Sequence, residues 1–91
     1  MEERLFKITR RFHPTAVLQF IKQSDGLEKI RLHEHTRGRW KSLELKEPCT
    51  PEFNDEMIND NRKQGYKVEM IERSDWLSLE FHLMDIEDYN N

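Results

Sequence analysis

Two histidines at alternate positions, His33 and His35, are the first residues here whose type and spacing could do chemistry. On an extended segment they project to the same side, close enough to share a metal ion. A site needs a third ligand. His82 would share their face, but four strand spacings of about 4.8 Å place it roughly 19 Å away. His13 closes the first strand and is the nearer alternative. As a pair alone, His33 and His35 read as solvated side chains, and neither metal nor cofactor is expected.

Nucleophiles are equally sparse. Cys49 lies between Pro48 and Pro51, where nothing marks a lowered thiol pKa, and a single cysteine forms no internal disulfide. Ser24, Ser42, Ser74 and Ser78 lie in no nucleophile-elbow context. Gly26, Gly38 and Gly65 stand apart from one another, so there is no glycine-rich phosphate loop. Carboxylates are plentiful, but a catalytic pair needs a cleft. A chain of 91 residues, 35% hydrophobic and 36% charged with mean hydropathy −0.97, has a thin core in which to build one. These features point away from an enzyme.

Charge is more informative. Residues 1–46 hold 11 Lys and Arg against six Asp and Glu, while residues 47–91 hold four against 12. Strand pairing between the halves would mix these charges; otherwise the chain has one basic and one acidic surface. The cations Lys7, Arg11, Arg31, Arg37, Arg39 and Lys41 are the candidate contacts for a nucleic acid. Arg37-Gly38-Arg39-Trp40 places a basic turn beside an indole. Glu52, Asp55, Glu56 and Asp60 form a candidate acidic patch for a basic partner. Trp40 and Trp76 are candidate anchors for a protein contact, because tryptophan is enriched among binding hot spots.

The elements that must position these groups follow from periodicity. Leu5–Phe12 alternates as a strand. His13-Pro14 then opens a helix over Pro14–Ser24, with Val17, Leu18, Phe20 and Ile21 as its apolar face and Asp25-Gly26 as its end. Glu28–His35 and Arg39–Lys46 form a hairpin about Thr36-Arg37-Gly38. Thr50-Pro51 caps a second helix that ends before Gly65, with acids in its first turns and Arg62 and Lys63 in its last. Tyr66–Met70 is a fourth strand and Trp76–Met84 a fifth.

This order, βαββαββ, is an α+β sandwich of two layers, ferredoxin-like with an extra C-terminal strand. Residues 1–84 make one domain and 85–91 an acidic tail. Both helices would cover the face carrying Phe6, Ile8, Ile30, Leu32, Leu43, Leu45, Val68 and Met70. The opposite face, with Lys7, Arg31, His33, His35, Trp40 and Trp76, would stay open.

The expected function is that of a small non-enzymatic regulator or inhibitor acting by protein–protein contact. Its composition has the character of many phage-encoded, host-directed factors. One alternative is a single-stranded nucleic-acid-binding module using the open face. Another is a homodimeric structural module paired through an edge strand or that face. No apolar run reaches the roughly 20 residues of a membrane helix, and MEERLFKITRR lacks the apolar stretch of a secretory signal, so a cytoplasmic location is expected.

Overall fold

The computed structural model describes residues 2–45 and 47–79. Its elements are β1 (Glu3–Thr9), β2 (Ala16–Lys22), β3 (Glu28–Thr36), β4 (Arg39–Glu44), α1 (Pro51–Lys63) and β5 (Lys67–Ile71), followed by a helical segment over 73–79, here α2. The strands form one sheet in the order β4-β3-β2-β1-β5, with every neighbour antiparallel. The α+β class, the hairpin β3–β4 and the helix α1 agree with the sequence reading.

The ferredoxin-like order does not hold, and the reason lies in residues 14–24. They are not a helix: Ala16–Lys22 is the central strand β2. Ala16, Val17, Leu18, Gln19 and Phe20 are buried in succession, because β2 is covered on both faces. A strand buried on both sides loses its alternation and reads as a continuous apolar run, which periodicity cannot separate from a buried helix. The β-branched Val17 and Ile21 and the aromatic Phe20 favour the strand. Asp25-Gly26 turns a hairpin instead of ending a helix. Gln23 N–H donates to the Leu27 carbonyl (2.8 Å), and Gly26 adopts φ 86°. With no helix between them, β1 and β2 are joined by residues 10–15 and must lie side by side.

A second correction falls at the C-terminal side. Trp76–Met84 is not a strand where it is described, since 73–79 is helical. Asp75 starts this helix: its carboxylate accepts from Glu72 N–H (3.0 Å), the return half of a capping box. Trp76 N–H then reaches the Glu72 carbonyl at 3.0 Å. Residues 80–84 and the tail at 85–91 lie outside the described residues.

β4 and β5 form opposite edges of the sheet, so α1 crosses one face to connect them. Thr50 caps α1 by accepting from Phe53 N–H (3.2 Å), and Pro51 supplies the fixed φ of a first turn. Ile58 packs with Phe6, Ile8, Ala16, Leu18, Phe20, Ile30 and Val68 to form the core. Phe6 and Phe20 meet edge-on at 5.7 Å.

The helix is tied down by a buried carboxylate. Glu28, 4% exposed, accepts from Arg4 Nε (2.9 Å), an Arg4 terminal nitrogen (2.7 Å) and Asn54 Nδ2 (3.0 Å). Its backbone pairs with Cys49. Arg4 also reaches Asp55 at 2.6 Å. A buried charge is tolerated only when paired and hydrogen-bonded. Arg4→Ala is therefore expected to destabilise the fold by about 3 kcal/mol, read as a lowered urea midpoint. Combining it with Glu28→Gln should recover part of that loss, because the orphaned charge is then gone.

Candidate functional site

Strand parity divides the charged and aromatic residues between two faces. Phe6, Leu18, Leu32 and Leu43 are in register on the α1 face, and Lys7, Val17, His33 and Ser42 on the other. The second face is not left open, because α2 sits on it. Trp76 lies 5.1 Å from the His33 ring and 4.7 Å from Trp40, and Trp40 lies 5.2 Å from His35. Both indoles are half-buried. The structure thus brings Trp40 and Trp76 together, each occupying part of the other's surface.

A polar chain runs beside these rings. His33 Nδ1 is 2.6 Å from Ser42 Oγ, and its Nε2 is 3.0 Å from Gln19 Oε1. Gln19 donates to Glu3 (2.8 Å), and Arg73 of α2 donates to the same carboxylate (2.6 Å). His33 and His35 therefore lie against rings and polar side chains. Among the described residues no three His, Cys, Asp or Glu side chains group as metal ligands. His82 lies outside those residues.

Most of the expected nucleic-acid contacts converge elsewhere, at one end of the sheet. The β1–β2 connection and the β3–β4 turn meet there: His35 N–H donates to the Thr15 carbonyl at 3.0 Å. Arg10 spans the same gap, donating to Glu34 (2.9 Å) and to the Pro14 carbonyl (3.1 Å). Arg11, Arg37, Arg39 and Lys41 are exposed at this end. Among the described residues none of these four is paired with a carboxylate. Arg39 and Lys41 share the α1 face with Leu43 and Leu32. That part of the face is not covered by α1, since Leu43 is 59% exposed.

The other two cations are placed differently. Lys7 lines a cleft on the α2 side with Glu69, Ile71 and Asp75. Arg31 sits near the opposite end and reaches Glu44 at 3.4 Å, beside Lys29 at 3.3 Å. Those two cations, Lys29 foremost, hold the Glu44 carboxyl below its ordinary value. Of the helix acids, Asp55 bonds Arg4, while Glu52, Glu56 and Asp60 face solvent.

Two further residues belong to the cationic end. Arg10 fixes the β1–β2 connection, and Phe12 stands at its tip, 92% exposed, with the Arg11 guanidinium carbon 5.2 Å from its ring centroid. The adjacency Arg10-Arg11-Phe12 ahead of Pro14 was the available signal. Reading Phe12 as the last residue of a strand hid it. No protein-family model matches the chain, and comparison with curated proteins and with solved structures finds no match.

Glu3 joins α2 to the sheet through its hydrogen bond from Arg73. Burial works to raise the Glu3 carboxyl, but hydrogen bonds from Gln19 and Arg73 and the Arg73 charge outweigh it and leave it lowered. A lowered carboxyl stabilises the fold fully above its unfolded value and loses that contribution as pH falls through the folded one. The near-UV tryptophan signal should therefore weaken as pH drops below about 4.5, the ordinary value. Glu3→Gln should show part of that weakening already at neutral pH, with a smaller change on acidification.

Proposed function

We propose that this chain acts by binding nucleic acid through the cationic end of its sheet. One observation carries the reading: Arg11 on the β1–β2 connection, Arg37 on the β3–β4 turn, and Arg39 and Lys41 at the start of β4 are exposed at one end of the sheet without acidic partners among the described residues, and the Arg10–Glu34 pair braces the first connection against β3. The net charge of −3 does not oppose it, because association responds to the local field. Acids and bases at the far end are largely paired: Arg4 with Glu28 and Asp55, Lys22 with Glu2, Lys29 and Arg31 with Glu44, Arg73 with Glu3. The two connections span four adjacent strands, three spacings of about 4.8 Å or about 14 Å in all. That width allows several phosphates to be met at once.

A second reading, protein contact in a regulatory or self-associating role, is favoured by the β4 edge. Among the described residues no strand pairs with its outer side. Leu43 and Leu45 are exposed along it, and a free strand edge can accept a partner's strand. The solvent-facing Glu52, Glu56 and Asp60 would steer a basic partner.

Anisotropy with a labelled mixed-sequence oligonucleotide, measured over a salt series, separates the two. Contacts from four cations should give a log–log salt slope of about −3, at about 0.7 per phosphate on a single strand. Arg37→Glu with Arg39→Glu should weaken binding by at least about tenfold and flatten the slope. Lys22→Glu, at the far end, should change neither. Salt-independent binding, or equal loss from both variants, would remove the nucleic-acid reading.

A further inference from the structure

We infer that Phe12 is a stacking platform for an unpaired nucleobase, so that the ligand class is single-stranded nucleic acid. The inference rests on the nucleic-acid reading and deepens it.

Phe12 is exposed and strained at once. Its φ of 66° lies in the left-handed region, where glycine or asparagine is the ordinary occupant and a bulky side chain is an outlier. Its ring has left water almost nowhere, with 92% of the residue exposed. The turn closed by His13 N–H on the Arg10 carbonyl (3.4 Å) calls for positive φ at its third residue, but not for a bulky aromatic there, and the one ring contact of Phe12 among the described residues is the neighbouring Arg11 guanidinium at 5.2 Å. An unfavourable backbone that persists at an exposed aromatic points outward, to something the ring meets.

The surroundings say what that is. The connection is pinned at its base by the Arg10 bonds to Glu34 and to the Pro14 carbonyl, while Phe12 at its tip is exposed. Arg11 is adjacent, Arg37 stands on the neighbouring turn and Arg39 begins β4. A flat apolar ring among unpaired guanidinium groups matches a polyanion whose repeating units also carry flat rings. Bases stack on aromatic side chains without regard to sequence, while cations follow the phosphates. A continuous duplex keeps its base faces stacked internally, so an open ring favours bases that are unpaired.

Phe12→Gly separates this role from folding, because glycine accepts φ 66° without strain and should melt no lower than the native chain. Binding is measured to single-stranded DNA, to RNA of the same sequence, to a duplex closed by a hairpin at both ends, and to heparin as a polyanion without bases. The expected result is a loss of about tenfold on a single strand. The salt slope, heparin affinity and closed-duplex affinity should be unchanged, and Phe12→Trp should restore binding. Loss on both single strands, or on one alone, identifies whether the 2′-hydroxyl matters. Native-like affinity of Phe12→Gly for both single strands overturns the inference, as does an equal loss on heparin or the closed duplex. If the native chain binds none of these, the underlying nucleic-acid reading has failed instead.

Discussion

The burial of β2 on both faces is the constraint on which the rest depends. Val17 and Phe20 point to opposite sides of the sheet, and each is fully buried. A 91-residue chain with few apolar residues can satisfy that only by placing cover on each side. α1 supplies it over Phe20 and its neighbours. On the other side α2 brings Trp76 against His33 and Trp40. With the central strand committed in this way, neither face is free across its width. Accessible among the described residues are the outer sides of β4 and β5, the part of the α1 face around Leu43, and the loops at the two ends.

The ends differ because their charges are paired differently. Where β3 begins and α1 starts, Glu28 is enclosed by Arg4, Asn54 and the backbone of Cys49, and Arg4 extends the network to Asp55. Such a network fixes where the helix lands on the sheet. At the other end, Arg10 is used structurally, bracing one connection against β3 through Glu34. Among the described residues Arg11, Arg37, Arg39 and Lys41 make no ion pair. The sequence asymmetry between the two halves is therefore partly dissolved by strand pairing and re-formed along the strand axis.

Much of this was legible in the order of residues. Alternation placed Phe6, Ile8, Ile30, Leu32, Leu43, Val68 and Met70 on one face and Lys7, Arg31, His33, His35 and Trp40 on the other, as the register confirms. Thr50-Pro51 and the charge order within 51–63 marked α1, and Arg37-Gly38 marked the turn. The central strand was not legible, because two-sided burial erases the period that distinguishes strand from helix. Nor was α2: the spacing of Leu77 and Leu79 fits a strand, and the capping contact between Asp75 and Glu72 is visible only once the chain bends. The convergence of Arg11 with Arg37 and Arg39 depended on the first of these, since a helix in place of β2 would have carried the two connections to unrelated positions.

Backbone energetics single out the same end. Among the described residues, Phe12 and Arg37 are the two non-glycine positions with positive φ, at 66° and 52°. Each left-handed conformation costs an ordinary L-residue roughly 1–2 kcal/mol. Against a total stability of about 5–15 kcal/mol for a typical native domain, two such terms are substantial. The tight turn at 37–38 explains the conformation of Arg37, for a two-residue hairpin of this hand needs positive φ at both central positions. It does not explain the choice of arginine, since asparagine would adopt it with less strain. The turn within the 10–15 connection, closed by His13 N–H on the Arg10 carbonyl at 3.4 Å, likewise accounts for positive φ at Phe12 but not for the choice of phenylalanine. Stability alone would have selected other residues at both tips. Both tips thus hold an exposed side chain in a conformation that glycine or asparagine would adopt with less strain, which sets this end of the sheet apart from the rest of the described surface.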